Sequence, residues 1–320
     1  MDFGSTLTFF VPIKEKRKKV APFLRAIRTA RAVLRAEVPL AELLKSWRLN
    51  MTTFLFWNLH RTVPADTVAA LAKQHGVDVV ILAESHHDPS ILVSALNVTR
   101  TEYHFAPTIG CERIQIYTRF SPDFLTLAEE TPRLTVRRLE LPGLTNVLLA
   151  AVHMVDKRSV KEESQQYELA DLSRLIRDVE AQERLNRTVL VGDFNVNPFE
   201  PGMIAAQGLH AVMSRQTALE NERTVQAKSF PFFYNPMWSL FGDHPSGPPG
   251  TYHYRSSESV CYFWNMFDQV LLRPSLLGMF RNEDLRILTD VGQTSLLSPR
   301  SGTPRKSVSD HLPILFRLSL

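Results

Sequence analysis

The stretch that decides the fold is VLVGDFNVNP, residues 189–198. An apolar run with the length and branching of a buried strand stops abruptly at Gly192, and Asp193 and Asn195 follow with Phe194 between them. Gly, Asp, Asn and Pro together make an ordinary turn. The alternative is a rigid strand that mounts two polar side chains at a reacting centre. The same event recurs along the chain. TTFLFWN ends in Asn58, VDVVILAE ends in Glu84, and the strand expected at residues 146–152 runs into His153. Asp268 stands at the head of the strand expected at 267–272, and Asp310 and His311 precede the one at 312–318. In open α/β sheets ligands collect at one edge, outside the strand ends. One such end is a turn; six of them predict a single site.

Between these strands the pattern is α/β. PADTVAALAKQHG predicts a helix closed by Gly76, and residues 160–185 predict a long polar one. Further strands are expected at 113–118, 124–128, 134–139, 189–191 and 285–288. At 320 residues, 44% apolar and 22% charged, the chain is long enough for one large α/β domain or two smaller ones. Cys111 and Cys261 supply neither a disulfide framework nor zinc-ligand spacing, which points to a reducing, intracellular (cytoplasmic) setting. The formal net charge of +4 belongs to the front end. Residues 1–50 carry about +7, leaving the remainder near −3. Leu24, Ile27, Ala30 and Leu34 fall at helical spacing there, with Arg28, Arg31 and Arg35 on another face. The chain therefore divides into a basic amphipathic helical extension, 1–50, and a catalytic domain, 51–320. Residues 14–48 are the candidate contact with a membrane surface or a partner, against a helix packed on the body. A translation start at Met51 is the other reading of the same boundary.

The residue types suit phosphoester chemistry. Glu84 and Asp310 are hard oxygen donors and Asn58 a neutral one, a set matching magnesium with retained waters better than a calcium cage. Two histidines on different strands can stabilise phosphoryl charge while a carboxylate orients water. Each needs an acceptor on its other ring nitrogen. Asp268 is the candidate for His311, and Glu112 for His153.

The segments FLFWNLH, ILAES, AVHMVDK, VGDFNVNP, FDQVLL and SDHLPI occur in the order seen in the endonuclease/exonuclease/phosphatase superfamily, which the chain resembles from Thr53 to Leu320. The resemblance implies a four-layer α/β/β/α sandwich of two packed mixed β-sheets flanked by helices. It implies Asn58, Glu84 and Asp310 at a Mg2+ that Mn2+ can replace, with Asp193, Asn195, His153 and His311 around the scissile phosphate and Asp268 orienting His311. CERIQIYTR resembles the deoxyribonuclease-type segment whose Glu, here Glu112, pairs with the first active-site histidine. His60 stands where abasic-site endonucleases carry an aspartate, which argues against abasic-site repair. The aromatic region 230–264 is the candidate substrate loop, with Tyr252, Tyr254 and Trp264 placed to stack and Arg113 to clamp phosphate. Three functions follow: a nuclease acting on DNA or RNA, a phosphatase or phospholipase acting on inositol or sphingolipid phosphates, and a binding module that keeps the fold without turnover. The nuclease is the leading expectation, with nucleic acid as substrate. The sequence assigns no oligomeric state.

Overall fold

The computed structural model describes residues 51–320 apart from Arg100 and segments 158–160 and 244–246. The expected extension at 1–50, including the contact region 14–48, lies outside the described residues. A six-stranded sheet has the order β16–β19–β1–β2–β4–β3. Its members are β1 (Met51–Asn58), β2 (Val79–Ala83), β3 (His104–Ala106), β4 (Ile114–Thr118), β16 (Arg286–Ile287) and β19 (Ile314–Ser319). A seven-stranded sheet has the order β5–β6–β7–β8–β15–β12–β9. It contains β5 (Leu125–Thr131), β6 (Leu134–Leu139), β7 (Val147–His153), β8 (Thr188–Asp193), β9 (Ala211–Val212), β12 (Phe233–Tyr234) and β15 (Asp268–Leu272). Three two-stranded ribbons complete the strands: β10 (Glu222–Val225) with β11 (Lys228–Pro231), β13 (Tyr252–His253) with β14 (Trp264–Asn265), and β17 (Asp290–Val291) with β18 (Thr294–Ser295). Both large sheets mix parallel and antiparallel pairs.

The layering follows from strand periodicity, because alternate residues of a strand face opposite sides of its sheet. Phe54 and Phe56 of β1 join Val79 and Ile81 of β2, Leu149 and Ala151 of β7 and Val189 and Val191 of β8 in one cluster between the sheets. Phe54 stacks on Phe316 there at 4.9 Å. The intervening residues Leu55, Trp57, Val80 and Leu82 face outward instead, onto Val68, Leu71 and Ala72 of helix α1 (Ala65–His75). On the far side Leu148, Ala150 and Leu190 meet Leu169, Leu172, Ile176 and Val179 of the 22-residue helix α3 (Glu162–Glu183). Both sheets are thus covered on two faces, which is why their central strands read as continuous apolar runs rather than alternating ones. Helix α2 (Pro89–Leu96), capped by the Asp88 side chain on Ser90 N, adds Leu92 to the outer cluster.

Two glycines have defined work. Gly76 closes α1 at φ 59°, as its sequence position predicts. Gly192 lies where β8 pairs with β7, and a Cβ there would sit 1.9 Å from the Val152 carbonyl oxygen. The glycine before Asp193 is therefore a packing requirement of the strand, not a turn former. No helix among the described residues is long and apolar enough to cross a membrane.

Candidate active site

Register brings the polar strand ends together. In the seven-stranded sheet His153 pairs with Asp193 across the parallel β7–β8 ladder, and Asp193 pairs with Asp268 across β8–β15. Three adjacent strands thus present His153, Asp193 and Asp268 side by side. In the other sheet Asn58 pairs with Ala83, next to Glu84, and the segment leading into β19 carries Asp310 and His311. Both sets open into one cleft of about 510 Å³, lined by Asn58, Glu84, His153, Asp193, Asn195, Asp310 and His311 among others.

His311 is buried, and its Nδ1 lies 2.8 Å from Asp268 Oδ2. Its backbone is fixed from two directions: the Trp57 indole donates to His311 O at 3.1 Å, and His311 N–H donates to Ser309 Oγ at 3.1 Å. Ser309 Oγ in turn donates to Asn58 O, tying SDH to the end of β1. Burial by itself drives both members of the pair toward neutrality, pushing Asp268 up and His311 down. Asp268 and Asp193 both act on the one imidazole, and they outweigh its burial and hold His311 up at about 10. The ring is an imidazolium at neutral pH, with Nε2 3.8 Å from Asp193 Oδ2.

Asp193 is held from both sides. Asn58 Nδ2 donates to Oδ2 and Asn195 N–H donates to Oδ1, each at 2.9 Å. Asn195 adopts φ 54°, a left-handed backbone that an asparagine tolerates, and its amide donates to Met154 O. Glu84 is likewise left-handed, at φ 49°. Its carboxylate lies 3.3 Å from His153 Nε2, and that contact holds it well below the ordinary range, at about 2, against the opposing effect of burial. His153 Nε2 is also 3.7 Å from Asp193 Oδ2, while its buried Nδ1 has no hydrogen-bond partner.

A family model described as Endonuclease/Exonuclease/phosphatase family matches residues 55–311. This chain belongs to that family. Members of the endonuclease/exonuclease/phosphatase family are in general hydrolases of phosphoesters. Solved structures with a similar fold include a family member from Bacteroides thetaiotaomicron, at 13% identity and TM-score 0.52 over 84% of this chain and 94% of that one. A second, from Beutenbergia cavernae DSM 12333, has 18% identity and TM-score 0.48 over 84% of this chain and 71% of that one. An AP endonuclease from Archaeoglobus fulgidus has 17% identity and TM-score 0.48, covering 82% and 98% of the two chains. At such identities the likeness is one of fold. Among curated proteins, none matches the sequence.

Family membership leaves this chain's own departures to its geometry. The expected Glu112–His153 pair is not among the described contacts. Glu112 is exposed in the bend before β4, where the inward positions are Ile114 and Ile116, and the carboxylate facing His153 is Glu84. Arg113 contributes its backbone, accepting the Glu84 N–H at 3.3 Å, and its side chain does not line the cleft. Trp264 does not line it either; it stands edge-on to His253 and packs against the outer cluster of the six-stranded sheet. Tyr252 and Tyr254 do line it, and Tyr252 lies against both Phe267 and the His311 ring.

Several cleft residues escape sequence reasoning. His60 approaches Asp310 Oδ1 at 3.2 Å. Asn197, inside the opening motif, bonds Met266 N, Asn265 and Glu200. Glu200 binds Lys157 Nζ through both carboxylate oxygens. The signal for the last two was the second Asn of NVNPFE, which repeats the spacing of the first.

The donors fit a divalent cation. Asp310 Oδ1 is buried and accepts no hydrogen bond, its nearest histidine being His60 with Nδ1 at 3.2 Å, and Glu84 and Asp310 bring two hard oxygen donors to the cleft beside Asn58. Asn58 Oδ1 already accepts the His60 N–H at 3.0 Å and keeps one lone pair. A second grouping, Asp193, Asp268 and His311, has ligand atoms within 4.8 Å of one another. There Asp268 Oδ2 and His311 Nδ1 already bond each other at 2.8 Å, which leaves Asp268 Oδ1 and His311 Nε2 as the atoms such an ion would take.

Proposed function

We propose that the chain is a divalent-metal-dependent phosphodiesterase that hydrolyses nucleic acid by in-line attack of water. The observation that carries this reading is the His311–Asp268 contact at 2.8 Å, aimed into the same cleft as Asp193 and Asn195. Glu84 and Asp310, with Asn58 beside them, would hold a magnesium ion, which would neutralise charge on the phosphate and leaving oxygen. Asp193, oriented by Asn58 and by the Asn195 backbone, receives the attacking water and draws its proton toward Oδ2. His311 Nε2–H stabilises the charge that builds on the phosphoryl oxygens, and Asp268, bonded at Nδ1, fixes the ring's orientation and sustains its charge. Asn195 donates from its amide edge, and His153, on the facing sheet from His311, adds the Nε2 that lies between Glu84 and Asp193.

One feature favours a second reading, a phosphorylated headgroup. The outer cleft carries Glu162 and Glu258 with Phe199, Tyr254 and Tyr262, a combination suited to a cationic or apolar moiety. Hydrolysis of single- and double-stranded DNA, RNA, inositol phosphates and sphingomyelin, each with magnesium, manganese or chelator, separates the two. Metal-dependent cleavage of nucleic acid that disappears in His311→Ala supports the nuclease. Turnover confined to headgroup esters overturns it in favour of the second reading, and ligand binding without any turnover points to a binding module.

A further inference from the structure

The cleft lining holds one ammonium that the reaction at Asp193 and His311 does not use. Lys157 is the one lysine or arginine among the described residues that line it, amid seven carboxylates. Its ammonium is pinned. Glu200 accepts from Nζ through both oxygens, and Glu200 itself is held by Asn197, whose backbone N–H donates at 2.8 Å and whose amide donates at 3.1 Å. Glu200 Oε1 thus serves three donors, so its position does not depend on the lysine. An ammonium has three N–H groups, and Glu200 takes two. Lys157 keeps 39% of its side chain exposed and sits 5.8 Å from the centre of the Phe267 ring. Phe267 stacks on Tyr252 at 5.2 Å, and Tyr252 packs on His311 at 4.7 Å. Imidazolium, two stacked rings and ammonium therefore form one continuous wall. Lys157 and His311 stand at opposite ends of that run of rings.

We infer that Lys157 and Glu200 form a subsite for a flanking phosphate, the neighbour of the scissile one along a nucleic-acid strand, with the Tyr252–Phe267 wall against the nucleoside between them. The inference rests on the nuclease reading and deepens it, because a substrate with a single phosphodiester cannot fill both positions. Glu200 acts as a positioning residue, holding the ammonium at the wall through its bonds to Asn197. The free N–H binds the flanking phosphate oxygen, a charge-assisted bond of the stronger kind.

The test uses the 320-residue chain with magnesium and three substrates: thymidylyl-thymidine, the same dinucleotide with a 5′-phosphate, and the same with a 3′-phosphate. Bis(4-nitrophenyl) phosphate serves as a diester without nucleosides. In the parent one phosphorylated dinucleotide has a kcat/KM about tenfold above the unphosphorylated one, the gain lying in KM. In Lys157→Ala that ratio falls to about one, and in Lys157→Arg it returns in large part. Equal rates for all three dinucleotides in the parent overturn the subsite while leaving the nuclease intact. So does a ratio that survives in Lys157→Ala. Hydrolysis of the nitrophenyl diester with none of any dinucleotide overturns the nuclease reading and the subsite together.

Discussion

The floor and the rim of the cleft are built in different ways. The floor consists of strand ends: His153, Asp193 and Asp268 are buried and in register on neighbouring strands, with Asn58 bonded to Asp193 from the facing sheet and His311 bonded to Asp268. The rim is loop, and its side chains are open: Tyr254, Val260, Tyr262 and Phe263 are all close to half exposed or more, and Phe263 takes φ 60° in the ten-residue loop from β13 to β14. A buried polar network fixes geometry to a fraction of an ångström, because each member left without its partner costs a full desolvation penalty. An exposed aromatic loop can follow the shape of what it binds. On the proposed reading, reaction chemistry belongs to the floor and substrate choice to the rim.

Substitutions on the floor should have the largest effects. His311→Ala and Asp193→Ala each lower kcat by roughly 10²–10⁴ with the fold retained, read from steady-state kinetics beside a circular-dichroism melt. A loss below tenfold in either variant removes that residue from the reacting centre. Gly192→Ala, next to Asp193, acts on the mount instead. Its Cβ meets backbone that cannot move aside, and a destabilisation of roughly 3 kcal/mol or more is expected in a denaturant titration.

Asp268→Asn comes next, and its signature is a pH dependence. In the parent, His311 stays protonated until about pH 10. Without the carboxylate the chief charge opposing the ring's burial is gone, leaving Asp193 and Asp310 to act against it. The alkaline limb of kcat/KM therefore moves to lower pH, and activity at pH 9 falls more than activity at pH 6. The stability linked to the raised histidine is fully present below its ordinary 6.5 and is lost as pH rises through about 10. An alkaline limb that stays in place in Asp268→Asn shows that another group sets it.

The same division explains what could be read from the sequence. β1 and β2 were nearly legible because strands covered on both faces leave apolar runs, and β6, LTVRRL, was legible to the residue because turn residues bound it at Pro132 and at Pro142 and Gly143. Convergence of Asn58, Glu84, Asp193, Asp268 and His311 was legible because polar residues at strand ends are conspicuous after such runs. Helix α2 was not, since PSILVSAL turns only Leu92 fully inward and shows no apolar stripe. The ribbon strands β10, β11, β13 and β14 are two to four residues long, too short for any periodicity. Glu112 was misplaced for the same physical reason: a carboxylate one residue from a buried strand can face the site or the solvent, and the backbone bend that decides this leaves no mark in residue type. Lys157 and Glu200 lie 43 positions apart and meet only through tertiary structure.

On the rim the effects shrink and change character. Tyr254→Ala should raise KM a few-fold, as loss of one stacking partner does, with kcat less affected. Arg113→Ala should do less still, changing kcat/KM by no more than about twofold. The part of Arg113 that touches the site is its carbonyl, which receives the Glu84 N–H and survives truncation of the side chain. The guanidinium lies outside the cleft lining, and isolated surface charges of that kind contribute little. Kinetics of Arg113→Ala on a polynucleotide and on a small diester check this. A tenfold loss confined to the polynucleotide requires the arginine to reach over the edge onto the strand, which extends the rim beyond Tyr254. A tenfold loss on both requires it to act on Glu84, and the boundary between floor and rim then passes through residue 113 rather than around it.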